Sequence, residues 1–328
     1  MAAGRRAPGI LFLVQCLLVG VGGAATFTSE SVRTRDGRRD YRLAVPDPRP
    51  AGPLPLVLLL HGHGGSAASA LGGGLRPSPL AAWLAIADRE QVLVAALQGA
   101  TGADGQPGWN DCRSDLPGAP RTDDVAFARA AVTQLESRHA VDASRVYAMG
   151  MSNGAMMCFR LALELEPPLA GFAAVSGSMA ARSQCGAPRH PVAALVIAGT
   201  ADPLVPYGGG MVHFGRRERG SVIGVEDAVR AWTRADGVAG EGRSEPLPHL
   251  HSGDDSTSAV RTVWGADGSP QVELVRVENG GHVEPSLAFH YGALYSRLVG
   301  AQNRDLESAE EAWRFLRRMH AQEAPAHR

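Results

Sequence analysis

Arg145-Val146-Tyr147-Ala148-Met149-Gly150-Met151-Ser152-Asn153-Gly154 is the stretch that decides the fold. Arg145–Gly150 reads as a buried strand, and a helix is expected from about Gly154 to Glu166. Between them stands the pattern G-x-S-x-G. In a chain with 40 glycines the pentapeptide alone says little. Its position between a strand and a helix gives it meaning. A sharp strand-to-helix turn lifts the Ser152 hydroxyl above the end of a sheet, and glycine on either side avoids collision with neighbouring elements. The competing reading is an ordinary serine in a Gly-rich turn.

Working outward, the same alternation recurs. Arg38–Val45 reads as an extended, hairpin-like entry. Leu56–Leu60 is a continuous apolar run of the kind buried on both faces. A helix is expected over about Pro79–Glu90 and a strand over Val92–Leu97. Residues 100–121 are rich in Gly and Pro and read as a long loop of functional character. Asp123 or Asp124 caps a helix running to about His139. Strands follow at Phe172–Ser176, Ala194–Gly199 and Val272–Glu278, with helices over about Val225–Ala235 and Asp305–Met319. The polar stretch 241–258 reads as a surface loop. No internal repeat or linker divides the chain. The pattern predicts an α/β fold with a mostly parallel sheet and helices on both faces. Ligands in such sheets sit at the carboxyl ends of the strands.

A serine hydroxyl needs a base to take its proton, and the base needs a carboxylate to hold it. Asp202 follows the strand Ala194–Gly199, and His282 follows the strand Val272–Glu278 inside Gly280-Gly281-His282. Both fall at strand ends, where loops converge over Ser152. Asp227 is the rival acid but reads as a helix cap. His290 is the rival base but lies outside any strand-end turn. After Leu56–Leu60 the chain runs His61-Gly62-His63-Gly64-Gly65-Ser66. A turn of this kind aims the backbone N–H of His63 at a developing alkoxide, with the N–H of Asn153 as second donor. His61-x-His63 lacks a third metal ligand. His249-x-His251 with Asp254 and Asp255 is a second cluster of metal-ligating types, read as solvated surface. No metal or other cofactor is expected.

Composition narrows the chemistry further. The 328 residues are 45% hydrophobic and 20% charged, with formal net charge -1, as in soluble globular proteins. All 32 basic residues are arginine. The absence of lysine excludes P-loop, Schiff-base, protein-kinase and Ser–Lys chemistry. Near-neutral charge without a basic block argues against nucleic acid as a partner.

Arg5-Arg6, an apolar run from Ile10 to Val21 and Gly22-Gly23-Ala24-Ala25 read as a secretory signal peptide over 1–25. An uncleaved anchor is the competing reading. Cleavage would leave a single domain over 26–328 and no stable membrane anchor. Twin-Arg export fits poorly because Ala7-Pro8 follows Arg5-Arg6. Lipid attachment at Cys16 fits poorly because Gln15 precedes it. Export implies an oxidising compartment. Of the remaining cysteines, Cys158 falls in a predicted apolar helix and reads as a buried thiol. Cys112 and Cys185 lie in loop-like sequence and are the expected pair among three possible pairings.

Taken together, the segments resemble the secreted α/β-hydrolase esterases grouped as polyhydroxybutyrate depolymerase-like and feruloyl esterase-like. The matching stretches are 36–46, Leu60-His61-Gly62-His63-Gly64-Gly65-Ser66, Gly108-Trp109-Asn110, Asp123-Asp124-Val125, 145–154, 199–207 and Gly280-Gly281-His282. They occur in the family's order over most of the mature chain. The resemblance implies an α/β-hydrolase fold with Ser152 as nucleophile, Asp202 as acid and His282 as base. It also implies Trp109 and Asn110 beside the substrate, and Cys112 and Cys185 as family cysteines. Trp109 could equally be a packing residue.

The chain departs from the family at Val283-Glu284-Pro285, where an aromatic and a proline are usual after the histidine. An acid there alters the field at the imidazole. The following insert with Phe289, Tyr291 and Tyr295 reshapes the mouth. No polymer-binding module is present, which favours small or oligomeric esters over insoluble polyester. The expectation is a secreted serine esterase, extracellular or periplasmic. Its substrates are feruloyl or acetyl esters of polysaccharides, or hydroxybutyrate oligomers. The alternatives are a peptidase or thioesterase with the same three residues, or a non-catalytic binding module on the same scaffold. Oligomeric state is left open.

Overall fold

The computed structural model describes residues 26–73, 78–238, 240–250, 257–266 and 271–321. The signal-like segment, and His251, Asp254 and Asp255, lie outside the described residues. Among the described residues no helix is long and apolar enough to cross a membrane.

An antiparallel pair opens the chain, β1 (Thr26–Thr34) and β2 (Gly37–Val45). The all-buried strand β3 (Leu54–Leu60) follows. A single helical turn, α1 (Ala67–Ala70), is capped by Ser66. A 3-10 turn at Pro79–Ala82 leads into α2 (Trp83–Glu90) and the all-buried β4 (Leu93–Leu97). The expected long loop carries a minimal hairpin, β5 (Ala100–Thr101) and β6 (Pro107–Gly108). Helix α3 (Asp124–Arg138) is capped by the Asp123 carboxylate, which accepts from the Ala126 N–H. Asp124 instead pairs with buried Arg39 at 2.7 Å.

Strand β7 (Val141–Met151) runs into α4 (Asn153–Glu164), a helix with ten buried residues, then β8 (Gly171–Val175) and β9 (Ala193–Gly199). A separate hairpin, β10 (Gly209–Phe214) and β11 (Arg217–Ile223), precedes α5 (Val225–Ala235). The remaining elements are β12 (Arg243–Pro246), β13 (Ser258–Trp264), β14 (Val272–Glu278), α6 (Ala293–Val299) and α7 (Ser308–Leu316). The stretch 241–258, expected as a surface loop, therefore contains a strand.

Ten strands form one sheet in the order β1-β2-β4-β3-β7-β8-β9-β14-β13-β12. The six central strands are mutually parallel, and both margins are antiparallel. Alternate residues of β3 feed two cores, as the pleat requires. Leu56, Leu58 and Leu60 pack with α3, α4 and α5, where Phe159, Phe172 and Trp232 meet edge to face with centroids 4.9–5.5 Å apart. Val57 and Leu59 pack with α2 and α7, including Trp83 and Trp313. This is the α/β-hydrolase fold expected from the sequence. The chain reverses direction across the sheet between β3 and β7. Their following segments diverge to opposite faces and leave a crevice at the strand ends, where such sheets bind ligands.

Candidate active site

Ser152 stands at that crevice with φ 56° and ψ -120°, a conformation a non-glycine residue adopts only when its surroundings impose it. The surroundings are tight. A Cβ on Gly150 would approach the backbone of Gly154 to 2.4 Å, and one on Gly154 would approach the Leu60 carbonyl oxygen to 2.1 Å. The two glycines of the motif are therefore needed to bring the first turn of α4 against β3. The Ser152 N–H donates to the Val175 carbonyl at 2.8 Å, which ties the turn to β8.

Two other strand ends converge on this serine. His282 Nε2 lies 2.9 Å from Ser152 Oγ, and His282 Nδ1 lies 2.8 Å from Asp202 Oδ2. The other Asp202 oxygen accepts from the N–H groups of Leu204 and Val205, both at 2.8 Å. With a carboxylate on Nδ1, that nitrogen carries the proton and Nε2 is left to accept from the hydroxyl. The loops carrying His282 and Asp202 touch. The Ala201 N–H donates to Gly280, and a Cβ on Gly199 would strike the Gly280 backbone at 2.2 Å. Helix α6 closes the far side, where the Val299 carbonyl accepts from the His282 N–H at 2.5 Å. The rivals lie elsewhere. Asp227 is exposed in the first turn of α5 and pairs with Arg230 at 2.7 Å, and His290 is exposed.

The turn after β3 lies against the serine. A Cβ on Gly62 would sit 3.5 Å from the Ser152 Cβ. Asn153 heads α4, so its N–H has no carbonyl one turn back in the helix to bond. The side chains of the two expected donor residues are held firmly. Asn153 Oδ1 accepts from the Trp109 N–H at 2.8 Å, and its amide donates to Asp111 at 2.7 Å. His63 Nε2 faces Asp104 at 3.1 Å, while Nδ1 accepts from Arg219 at 3.1 Å. Burial, and then the Arg219 charge, hold the His63 pKa below its usual value.

His61 serves the scaffold. Its Nε2 accepts from the Gly99 N–H at 3.0 Å, so Nδ1 carries the proton and donates to the Gly62 carbonyl. Burial pushes its pKa down to about 4. His61 and His63 thus commit their ring nitrogens to different partners. His249 is paired with Asp305 at 2.8 Å. Among the described residues no group of three His, Cys, Asp or Glu side chains is arranged to hold a metal.

Trp109 is 1% exposed, and its indole N–H donates to the His61 carbonyl at 2.8 Å. It packs beneath the turn instead of lining an open pocket. Asn110 is half-buried, and its amide donates to the Thr122 carbonyl at 3.0 Å. Glu284 is buried beside His282 and accepts from the Ser78 and Tyr291 hydroxyls, each at 3.0 Å. Burial raises its pKa, and the hydroxyl donors and His282 oppose that rise. The Tyr291 ring meets Phe289 edge to face at 5.0 Å and Tyr295 at a tilt at 4.8 Å between centroids. Cys112 and Cys185 form a disulfide, and Cys158 is a buried free thiol. Sequence reasoning missed Asp104, Asp111, Arg113 and Arg219. Only Asp111 and Arg113 carried a signal, by flanking Cys112.

Residues 49–213 match the phospholipase/carboxylesterase family. A protein of Nocardia uniformis subsp. tsuyamanensis named as a candidate esterase, NocK, is 36% identical over 301 residues, 89% of this chain and 83% of its own length. Feruloyl esterase C of Emericella nidulans is 29% identical over 58% of this chain and 64% of its own. Feruloyl esterase B of Piromyces equi is 27% identical over 58% of this chain and 34% of its own. Among solved structures, acetyl xylan esterase from Aspergillus awamori superposes with a TM-score of 0.54 at 14% identity, over 83% of this chain and 98% of its own. At that identity the likeness is one of fold. The family match and the esterase relatives, with the fold, define an esterase-type α/β-hydrolase. Within that class the chain belongs to the phospholipase/carboxylesterase family.

Proposed function

We propose that the protein is an exported serine carboxylic-ester hydrolase working through an acyl-enzyme. The observation that carries this reading is the continuous hydrogen-bonded run from Ser152 Oγ through the His282 imidazole to the Asp202 carboxylate. Ser152 Oγ attacks the ester carbonyl while His282 Nε2 takes its proton. The backbone N–H groups of His63 and Asn153 hold the oxyanion. The tetrahedral intermediate collapses, His282 returns the proton to the departing alcohol, and the acyl group stays on Ser152. Water, deprotonated by His282, then attacks the acyl-enzyme and releases the acid. Asp202 keeps the imidazole in the required tautomer and stabilises it when protonated.

The substrates proposed are small or oligomeric esters, of the feruloyl or acetyl type on polysaccharides or of hydroxybutyrate oligomers. The feruloyl esterases among the relatives support the first group. Processing near Ala25 delivers a single domain to the periplasm or exterior, and the Cys112–Cys185 disulfide fits an oxidising compartment.

Ser152→Ala is the direct test. It should lower turnover of p-nitrophenyl esters on the order of 10⁵-fold and abolish labelling by a fluorophosphonate probe. Ordinary esterase activity in the purified variant would refute the assignment. A parallel panel of feruloyl esters, hydroxybutyrate oligomers, thioesters and peptides identifies the acyl bond.

A further inference from the structure

We propose that Arg219 is a positioning residue for the oxyanion hole, the centre of a brace that fixes both donor residues from behind. The proposal rests on the assignment of the His63 and Asn153 N–H groups made above.

Arg219 stands on β11, in a hairpin that adds no strand to the main sheet. Its guanidinium donates to Asp104 at 2.7 Å and to His63 Nδ1 at 3.1 Å. A guanidinium can only donate, so Nδ1 must accept and the ring proton sits on Nε2, facing the same Asp104 oxygen. The His63 ring is thereby fixed at both nitrogens. From the Arg219 carbonyl the run continues. It accepts from Arg113, Arg113 pairs with Asp111 at 2.6 Å, and Asp111 accepts from the Asn153 amide at 2.7 Å. One unbroken series of bonds thus links the side chain of one oxyanion donor to that of the other.

The hairpin is seated to aim Arg219 at this place. Asp115 accepts from both the N–H and the hydroxyl of Ser221, and the Ile223 N–H donates to Met179. Gly220 has φ +73°, and a Cβ there would come within 2.8 Å of Asp115. Asp111 and Arg113 are 1% and 4% exposed. Buried ion pairs add little net stability over apolar packing of the same shape, but charge-assisted, forked bonds impose geometry. Geometry is what an oxyanion hole requires, because its donors act only if already in place when charge develops.

The test is steady-state hydrolysis of p-nitrophenyl butyrate by the full chain. It is combined with inhibition by an alkyl boronic acid, which adds to the serine as a tetrahedral mimic. Arg219→Ala should lower kcat about 10- to 100-fold with KM within about threefold, and weaken the boronate by the same factor as kcat/KM. Arg219→Lys should recover part of the loss, since an ammonium reaches Asp104 but cannot fork to His63. A kcat within about twofold of the parent, or a loss carried by KM with boronate affinity unchanged, overturns the proposal. If Arg219→Ala fails to fold, Arg219→Lys is judged alone by the same two readouts. Fluorophosphonate labelling of the parent separates the two readings. No adduct on Ser152 sinks the esterase site itself. An adduct together with a silent Arg219 variant sinks only the brace.

Discussion

His61 lies directly behind the turn that carries His63, the proposed oxyanion donor, with both ring nitrogens bonded to backbone. Its burial makes the fold sensitive to acid. The pKa of about 4 in the native state lies below the ~6.5 of an exposed imidazole, so the unfolded chain binds the proton more readily. The stability this neutral ring contributes is full above about pH 6.5 and is lost as pH falls to about 4, a total of about 3 kcal/mol. His61→Asn keeps a donor and an acceptor but does not titrate. Thermal melts of parent and variant from pH 7.5 to 4 should show the shallower decline in the variant, and equal slopes would refute this account. An indole in the Gly108-Trp109-Asn110 segment reads from sequence as pocket wall or packing residue alike. The hydrogen bond to His61 that settles its placement crosses 48 positions of chain.

Among the elements, the turn from β7 into α4 tolerates little. Gly154→Ala would drive a methyl group into the Leu60 carbonyl, a backbone atom that cannot step aside. The expected cost is at least about 4 kcal/mol, seen as insoluble protein or a sharply lowered unfolding midpoint; a soluble variant of parental stability would contradict the packing described. This turn was legible because its steric demand is written in two glycines, and the parallel core because strands buried on both faces read as unbroken apolar runs. Asp202 and His282 were singled out by the same logic, as the polar residues placed where such runs stop, and the structure brings both to Ser152. The elements that escaped detection obey no such rule. All four residues of β12 are exposed, so no alternation marks it. The β10–β11 hairpin carries Gly215-Arg216-Arg217-Glu218-Arg219-Gly220, a sequence that reads as solvated loop. Helix α6 presents Leu294 and Leu298 outward and so lacks an apolar inner stripe. Arg219 could not have been singled out, since its partners lie more than a hundred positions away.

Across the whole molecule, the disulfide joins the segment before α3 to the crossover between β8 and β9, 73 positions apart. Closing a loop of that length removes entropy from the unfolded chain worth about 4 kcal/mol. Reduction, or Cys112→Ser, should lower the unfolding midpoint by roughly 10 °C. Activity should fall as well, because Cys112 stands between Asp111 and Arg113. Unchanged melting in reductant would show that the bond constrains little. Cys158 is an unfavourable exchange partner, since burial raises its thiol pKa well above the ordinary range.

At one margin of the sheet, β12 ends the ladder with four residues that include Arg243, Glu245 and Pro246. An open strand offers unsatisfied donors and acceptors to any passing chain. Here the terminal rung is brief, carries both signs of charge on one face through Arg243 and Glu245, and lacks one amide hydrogen at the proline. Stacking of one molecule's ladder onto the next is thereby discouraged, and concentrated solutions should resist fibrous self-association from this side.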